Sequence, residues 1–483
     1  MPSTTQVSAT GNADVDGLLS GVKWDVARLS YSFPAMSLDY ELMYGNGEQN
    51  NNFSGVTAAQ EGAIRAALAQ YGAVSNLSFV EAMETPALHA DLRFGQTDTA
   101  STAYAYLPQS VPEGGDAWFN NSTGAYDRPV KGNYAYITFL HEIGHTLGLK
   151  HGHDTGDFGA LPHDHDSMEY SVMTYRSYVG ATVSGGYTNE TWGFAQSLMQ
   201  DDIAAIQSMY GADYATQSGN SVYQWSPSSG EMFIDGVGQG KPGANVVFLT
   251  VWDGGGNDTY DLSNYSSDLT VDLQPGAWTR TSKEQRALLS YDGKHVATGN
   301  IANALEYKGD SRSLIENATG GSGNDTITGN AAGNMLKGGQ GDDVLRGKGG
   351  ADVLYGGHGV DTLYGSSDSD KDRFLFRSIH DSGTGSSDRD TIGDFDRKSS
   401  ASETVWDRID LRSIDADHAS GDQSFRFVSK FHTASKGSPD GEVTIDKSGS
   451  GCKVLVDIDG DKHADMIVHV TNAGTLHASD FLL

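Results

Sequence analysis

The first half of the chain shows helical and strand patterns of apolar residues in turn. Residues 57–71 open with a threonine that can cap a helix, and alanine, isoleucine and leucine follow at helical spacing. Residues 134–150 and 198–210 repeat this spacing and predict two further helices, the second of which stops at Gly211. Short alternating, β-branched or aromatic runs predict strands at 29–33, 77–80, 90–94 and 117–119.

After Gly211 the helical spacing disappears. Short runs of valine, isoleucine, leucine and tyrosine alternate with clusters of glycine, asparagine, aspartate and serine to residue 483. We therefore predict an α+β domain over residues 21–212 and a β-rich domain over residues 213–483. Residues 1–20 are small and polar, which predicts a flexible N-terminal tail or a short processing segment.

The charge balance is strongly acidic and excludes several classes of partner. The 483 residues include 32 Lys and Arg against 63 Asp and Glu, a formal net charge of −31. Such a surface repels phosphate backbones and anionic lipid, so we expect no nucleic-acid partner, whereas cation binding is favoured. No segment approaches 18 consecutive apolar residues, so we expect no membrane insertion. The first six residues lack the basic and apolar regions of a secretory signal peptide.

Cysteine and glycine usage narrows the interpretation further. The single cysteine, Cys452, excludes an intramolecular disulfide framework, and we interpret it as an incidental thiol rather than a nucleophile. Glycine is abundant, with 61 residues against 11 prolines. This imbalance indicates that the glycines belong to a repeated sequence unit rather than to a proline-rich disordered segment.

A nine-residue repeat between residues 320 and 364 explains much of the high glycine content. An acidic or amide residue recurs at every ninth position, and an apolar residue follows it two places later, as Ile327 follows Asp325. Glycines permit turns with positive φ, carboxylates provide oxygen ligands for a hard cation, and the apolar residue fills a shared core. A flexible glycine-rich linker would not keep this register. The repeat therefore predicts a parallel β-roll with two units in each coil and Ca²⁺ between stacked turns.

A metal-binding pattern lies on the helix predicted at 134–150. His141 and His145 are four residues apart and share one helix face, the spacing that two zinc ligands require. Glu142 lies about 100° around the same turn, where a carboxylate can hold a metal-bound water without ligating the metal. Gly148 lets the chain leave the helix sharply and bring in His151 as a third ligand. Incidental histidines on an amphipathic helix are the alternative.

Residues downstream of this motif add one alternative and one supporting feature. His153, His163 and His165 lie close in sequence, so any of them is an alternative third ligand, although ordinary loop residues are the simpler interpretation. Met173 lies in a predicted turn after the motif. A lone methionine usually belongs to a core, but after an extended zinc motif it predicts an apolar floor beneath the metal-binding imidazoles.

Taken together, these features resemble one known family. The zinc motif, the Met173 turn with Tyr175 two residues later, the repeats and residues 480–483 resemble the serralysins, the RTX-bearing metzincins of Gram-negative bacteria. The resemblance implies an α+β metzincin-type zinc protease domain, followed by an all-β domain with a calcium-binding parallel β-roll and a β-rich C-terminal part. It also implies a secreted, extracellular zinc endopeptidase, exported by a type I system that reads a C-terminal signal.

The resemblance also implies partners and site residues. The partners are protein or peptide substrates, the type I secretion apparatus and a proteinaceous protease inhibitor, with a monomer as the default state. His141, His145 and His151 match the ligands of one catalytic Zn²⁺, and Glu142 matches the general base. Tyr175 matches a tyrosine that can ligate the resting zinc and swing away to stabilise the transition state. The positions expected to bind several structural Ca²⁺ ions are Gly219, Asp253, Gly255, Gly256, Asp258, Glu316, Gly320, Gly321, Gly323, Asp325, Gly338, Gly339, Gly341, Asp343, Asp352, Gly356, Gly357, Gly359 and Asp361.

Two other functions fit parts of this sequence. One is a calcium-dependent RTX surface or adhesion protein with an inactive enzyme domain, against which the intact Glu142 and the three histidines argue. The other is zinc-dependent hydrolysis of a non-peptide substrate, which the metal motif itself does not exclude.

Two local expectations complete the analysis. Residues 457–461, with Asp465 beyond, form either another calcium site or a β-turn, and the departure from EF-hand spacing after strand-like residues 454–456 favours the turn. An extended peptide substrate is expected to pair with an exposed strand edge around residues 114–119.

Overall fold

The structure, a computed structural model, describes residues 2–85, 88–366, 370–397, 406–416, 423–432, 441–449 and 451–483. Strands dominate these residues, so the β-rich character predicted for the second half is confirmed. Among the described residues, the α-helices all lie in the first half: α1 Ala13–Asp16, α2 Ala58–Val74, α3 Tyr134–Thr146 and α4 Gln200–Tyr210. Short 3₁₀-helices span Ser37–Asp39, Glu48–Asn50, Tyr307–Gly309, Ser311–Ser313 and Ala478–Asp480. None of the described helices is both long and apolar enough to cross a membrane.

One mixed sheet organises the first half. Its elements and the neighbouring N-terminal pair are β1 Thr4–Gln6, β2 Val22–Trp24, β3 Arg28–Ser32, β4 Ser54–Gly55, β5 Ser78–Glu81, β6 Leu92–Thr97, β7 Ala103–Ala105 and β8 Ala117–Asn120. The strand order is β5-β3-β6-β8-β7, with β4 also paired to β6. Helix α2 begins as predicted, because the Thr57 side chain accepts a hydrogen bond from the Gln60 amide in a capping box.

Strand β8 lies inside this sheet rather than at its edge. It pairs with β6 on one side and with β7 on the other, and all four of its residues are buried. The expectation of a substrate-binding edge around residues 114–119 is therefore wrong. An apolar run predicts that a strand forms, but its neighbours depend on the tertiary pairing. The edge strand on this side of the sheet is β7.

Residues 2–20 are part of the folded structure. Strand β1 pairs antiparallel with β2, and α1 packs against α4. Leu18 and Leu19 are fully buried in the core of the first half. The expectation of a flexible tail is therefore wrong for these residues, because a few apolar side chains in a polar segment suffice to bury one face of it. The alternative, a short processing segment, stays a prediction.

The second half contains two long sheets and a short one. Its strands are β9 Val222–Trp225, β10 Met232–Ile234, β11 Val237–Gly238, β12 Leu249–Val251, β13 Thr259–Asp261, β14 Thr270–Asp272, β15 Trp278–Thr279, β16 Ile301–Asn303, β17 Asn317–Thr319, β18 Thr326–Thr328, β19 Met335–Gln340, β20 Val344–Arg346, β21 Val353–His358, β22 Thr362–Tyr364, β23 Arg373–Leu375, β24 Thr391–Ile392, β25 Arg408–Asp410, β26 Arg426–Phe427, β27 Glu442–Ser448, β28 Gly451–Asp457, β29 Met466–Val470 and β30 Phe481–Leu482. Strands β17, β19 and β21 pair in parallel in one long sheet, and β18, β20 and β22 do so in the other. Successive nine-residue units therefore alternate between two sheets.

Two hydrophobic clusters form the interior. In the second cluster, the apolar position of every repeat is fully buried, as predicted: Ile327, Leu336, Leu345, Leu354 and Leu363. The first cluster holds the helices of the first half together with six residues that come from after residue 213: Phe248, Trp252, Ala287, Leu289, Ala297 and Ala304. Part of the second half therefore packs directly onto the first.

Candidate metal centre

Helix α3 ends in a sharp turn that brings the chain back toward its own face. The helix stops at Thr146, earlier than predicted, and Gly148 follows with φ of +106°. A β-carbon at Gly148 would lie 2.3 Å from the carbonyl oxygen of Val22, so this turn requires glycine. The amide of Leu149 then donates to the carbonyl oxygen of Gly144 at 2.9 Å.

This turn brings three imidazoles together. The Nε2 atom of His145 lies 3.2 Å from that of His141 and 3.0 Å from that of His151. The ligand atoms of the three side chains lie within 4.8 Å of one another. Burial lowers the pKa of each imidazole, that of His151 to about 3, so all three are neutral at neutral pH.

The outer nitrogens show that this group fits a metal ion. The Nδ1 atoms of His141 and His145 each donate to a backbone carbonyl oxygen at 2.8 Å, and that of His151 donates to Asp154 Oδ2 at 3.2 Å. A neutral imidazole has one N–H, so each Nε2 carries a lone pair. Lone pairs that converge this closely repel one another unless a cation lies between them. The donor set and its outer hydrogen bonds suit zinc with one open position.

Two residues that the sequence analysis did not single out hold His151 in place. The Asp154 carboxylate accepts from His151, and its backbone carbonyl accepts from the buried Lys150 ammonium at 2.8 Å. The same ammonium donates to the carbonyl oxygens of Gly17 and Gly159. Lys150 thus joins the N-terminal segment to the loop after the third histidine.

Lys150→Met is expected to lower the free energy of unfolding by roughly 2–4 kcal/mol, because three buried carbonyl oxygens lose a charged donor. The measurement is the midpoint of the first unfolding transition in urea. Lys241→Met, which removes an exposed lysine, is the control and should leave that midpoint unchanged. Equal midpoints for the two variants would contradict a supporting role for Lys150.

Met173 is fully buried against the last turn of α3. A β-carbon at Gly144 would lie 2.5 Å from its sulfur, so the helix can approach the methionine only at a glycine. The turn is held by Asp202, whose carboxylate accepts from Ser171 Oγ at 2.6 Å and from the Val172 amide at 2.8 Å. Burial raises the pKa of Asp202 to about 7. Sequence reasoning missed Asp202 because an acidic residue in the first turn of a helix is ordinarily a solvated one.

Of the other candidate residues, His153 and Tyr175 contact the three-histidine group. Among the described residues, the three-histidine group does not include His163 or His165. His165 instead pairs with the buried Asp201 at 2.9 Å. The ring of His153 stacks on that of His151 with centroids 5.4 Å apart. The ring of Tyr175 lies 4.4 Å from that of His151, and burial raises the pKa of Tyr175 to about 12, so its hydroxyl keeps its proton.

Glu142 lines an open cleft of about 690 Å³ next to His141. The Glu142 side chain is buried, and its Oε2 has no hydrogen-bond partner among the described residues. Burial raises the pKa of this carboxyl to about 8. Strand β7 contributes Ala103 to the same cleft, so the free edge of the sheet borders the three-histidine group. The aromatic side chains that line the cleft are Tyr126, Tyr134, Tyr175, Tyr187, Phe194 and Tyr291.

Expected calcium positions before the repeats lie close together. The amide of Asp258 donates to Glu316 Oε2 at 2.7 Å, and a β-carbon at Gly256 would lie 2.3 Å from the carbonyl oxygen of Gly219. Burial raises the pKa of Asp253 to about 8, and the neighbouring Asp258 contributes to this increase. Asp258 Oδ2 is buried without a hydrogen-bond partner among the described residues, as expected of an oxygen that awaits a cation.

Within the repeats, the aspartates form a ladder. The amide of Asp325 donates to Asp343 Oδ1 at 2.7 Å, and the amide of Asp343 donates to Asp361 Oδ1 at 2.9 Å. The second carboxylate oxygens of Asp343 and Asp361 are buried and accept no hydrogen bond within the described part of the chain. The turn glycines adopt the positive φ predicted for them at Gly339, Gly341, Gly357 and Gly359.

A parallel ladder contains Asn334 in place of an aspartate. The side-chain Nδ2 of Asn334 donates to the carbonyl oxygen of Glu316 at 2.8 Å and to Asn330 Oδ1 at 3.0 Å. This rung is therefore closed by hydrogen bonds rather than left with an unpartnered oxygen.

Both ladders continue beyond the regular repeats, which the sequence analysis missed. The amide of Asp361 donates to Asp390 Oδ1 at 2.8 Å, and the amide of Asp372 donates to Asp407 Oδ1 at 3.0 Å. Asp381 lies at the same end, with one buried oxygen that has no partner among the described residues. The signal was present, since a buried apolar residue follows each ladder aspartate two places later: Phe374, Ile392 and Ile409. The nine-residue spacing, however, is lost there.

Residues 457–461 lie at the end of β28 and in the segment that connects it to the antiparallel strand β29. The amide of Gly460 donates to Asp457 Oδ1 at 2.8 Å. The carboxylates of Asp457, Asp459 and Asp465 lie within 4.8 Å of one another. Calcium binding at this segment stays a prediction. Cys452 is buried in β28.

Comparison with known proteins gives consistent matches. A family described as Peptidase M10 serralysin C terminal matches residues 212–483, more than half of the chain. Serralysin G of Dickeya chrysanthemi is 31% identical over 326 residues, which cover 63% of this chain and 61% of that protein. Metalloprotease AprA of Pseudomonas entomophila (strain L48) is 33% identical over 292 residues, 57% of this chain and 54% of that protein. Serralysin of Proteus mirabilis is 33% identical over 327 residues, 62% of this chain and 59% of that protein. The chain thus spans 54–61% of the length of these relatives.

Proposed function

Because the chain belongs to the serralysin family of M10 peptidases, we propose that it is a secreted, calcium-stabilised zinc endopeptidase that hydrolyses peptide bonds in extracellular proteins. The names of its relatives, serralysin and metalloprotease, support a metal-dependent proteolytic activity at the family level. The observation that carries the proposal is the convergence of three neutral imidazoles, one of which, His141, lines an open cleft together with the buried Glu142 side chain.

The metal ligands in this proposal are His141, His145 and His151. These imidazoles would hold Zn²⁺, which would supply a Lewis acid for the peptide carbonyl and for the attacking water. The backbone and Asp154 acceptors on the Nδ1 atoms fix the tautomer and the orientation of each ring. A metzincin-type protease domain over residues 21–212 would contain this site.

Glu142 and Tyr175 would carry out the proton transfer and charge stabilisation. Glu142 would take a proton from the attacking water and pass it to the leaving amine nitrogen, since its side chain lines the cleft beside the metal ligand His141. The Tyr175 hydroxyl, which keeps its proton, donates a hydrogen bond to the developing oxyanion. In the resting enzyme, Tyr175 would be an additional zinc ligand.

The cleft suggests how an extended peptide would bind. The exposed edge of β7 can add a substrate strand through backbone hydrogen bonds. The aromatic side chains in the interior of the cleft favour an apolar substrate side chain near the scissile bond.

In the second half, the aspartate ladders would bind several Ca²⁺ ions and form a parallel β-roll. Each bound ion would satisfy buried carboxylate oxygens from successive turns. Type I export of a calcium-free chain, followed by folding outside the cell, would explain why these ligands are buried and closely stacked. A proteinaceous inhibitor that occupies the cleft is a further expected partner, and a monomer is the default state.

The test is hydrolysis of unfolded casein by the purified full-length chain at saturating calcium, with and without a zinc-selective chelator. We expect cleavage that the chelator abolishes and that added zinc restores. Cleavage that is insensitive to the chelator would contradict zinc catalysis. A folded, zinc-loaded protein without proteolysis would contradict the proposal and favour a calcium-dependent surface protein with an inactive enzyme domain.

A further inference from the structure

A hairpin from the second half of the chain stands beside the cleft. It spans residues 287–297, between β15 and β16, where Leu288 and Val296 form an antiparallel bridge. The amide of Leu289 donates to the carbonyl oxygen of His295 at 2.8 Å. At the tip, Ser290 Oγ donates to Asp292 Oδ1 at 2.7 Å and accepts from the His295 amide at 3.0 Å. These contacts give the hairpin a defined shape.

The hairpin is fastened to the first half by several contacts. The amide of Glu190 donates to the carbonyl oxygen of Leu288 at 3.0 Å, and Thr188 Oγ1 donates to that of Leu289 at 2.9 Å. The ring of His295 stacks on that of Tyr178, with centroids 3.5 Å apart and an interplanar angle of 5°. Leu289 is buried in the hydrophobic cluster of the first half. The hairpin therefore keeps a fixed position relative to the cleft.

Tyr291 lies at the tip of this hairpin and lines the cleft that also contains His141 and Glu142. Its side chain is 74% exposed, and Val183, which is 37% exposed, lines the same cleft. None of the hairpin contacts described above involves the Tyr291 ring, so the shape of the hairpin does not depend on this side chain. A large exposed ring at the rim of a cleft is typical of a binding surface.

We propose that the hairpin at residues 287–297 forms one wall of the substrate cleft and that Tyr291, with Val183, binds an apolar or aromatic side chain of the polypeptide substrate. This inference rests on the proposed proteolytic function. The occupant is a substrate polypeptide because Tyr291 and Val183 line the same cleft as His141 and Glu142. The tyrosine ring offers an apolar face and a hydroxyl, a combination suited to a partly solvated side chain.

The test uses the full-length protein, saturated with calcium and zinc, on a mixed peptide library with cleavage sites read by mass spectrometry. Tyr291→Ser is expected to reduce the preference for apolar or aromatic residues at one substrate position about 5- to 10-fold in kcat/KM. For peptides with serine or glycine at that position, kcat/KM should change less than twofold. Tyr291→Phe should keep the wild-type preference, because it keeps the ring.

Leu42→Ala is the matched control. Leu42 is 96% exposed and does not line the cleft, so its loss removes exposed apolar surface without touching the substrate. Circular dichroism checks that each variant is folded. If Tyr291→Ser keeps the wild-type preference at every position while both proteins cleave, the hairpin proposal is overturned and the proposed function stands. If the wild-type protein cleaves no peptide, the proposed function fails and this inference fails with it.

Discussion

Glu142→Gln is expected to remove measurable proteolysis while the zinc content stays at the wild-type level. Glutamine cannot accept the proton of the attacking water, and loss of a general base lowers the rate about 10²- to 10⁴-fold. The side chain is not a member of the three-histidine group, so the ligand set is unchanged. Because Glu142 Oε2 is buried without a partner among the described residues, a neutral amide should also leave the thermal stability equal or higher.

Three measurements on one preparation decide this prediction. Casein hydrolysis reports turnover, elemental analysis reports bound zinc, and thermal unfolding reports stability. Glu61→Gln, on the solvent side of α2, is the control and should retain wild-type values for all three. Wild-type proteolysis by Glu142→Gln would contradict the assigned role, and loss of zinc would indicate that Glu142 contributes to metal binding instead.

Removal of calcium is expected to unfold much of the second half of the chain. Burial raises the pKa of Asp343 to about 8 and that of Asp390 to about 9, and neighbouring carboxylates add to both shifts. At neutral pH, ionisation of these buried carboxyl groups in the folded state is therefore unfavourable without a counter-ion. Each Ca²⁺ present at 100 times its Kd adds about 2.7 kcal/mol, so a few ions supply about as much as the stability of a domain.

The measurement is far-UV circular dichroism of the full-length chain after dialysis into calcium-free buffer at saturating zinc. The Glu142→Gln variant prevents self-digestion during the experiment. We expect loss of β-signal over the second half and recovery with Ca²⁺ but not with Mg²⁺ at the same concentration. Asp361→Asn should raise the calcium concentration needed for recovery, whereas Asp164→Asn, at an exposed position, should not. A spectrum that calcium does not change would contradict structural calcium sites.

Helix starts and repeat positions were predictable because their determinants are local. Thr57 and the helical spacing after it are enough to start α2, since a capping box involves residues three apart. The buried apolar position of each repeat follows from the register of Asp325 with Ile327 and its successors. The start of α3 was predicted correctly, but its end was placed too late because the turn at Gly148 also depends on the distant Val22.

Sequence reasoning missed residues whose roles depend on distant partners. Lys150 acts through the carbonyl oxygen of Gly17, and Asp202 acts through the turn that precedes Met173. The burial of Leu18 and the interior place of β8 likewise depend on pairing and packing partners far along the chain. No local pattern around these residues distinguishes them from solvated side chains or edge strands.

The sequence by itself determined which groups could bind a metal ion: the spaced histidines, the carboxyl group beside them and the oxygen-rich repeats. These features depend on residues within one helical turn or one nine-residue unit, where backbone geometry fixes the relative positions of side chains. Only the tertiary structure decided that β7 is the free edge of the sheet, that the aspartate ladders continue to Asp390 and Asp407, and that a hairpin with Tyr291 borders the cleft. The physical reason is that long-range packing and strand pairing select among many arrangements that have the same local pattern.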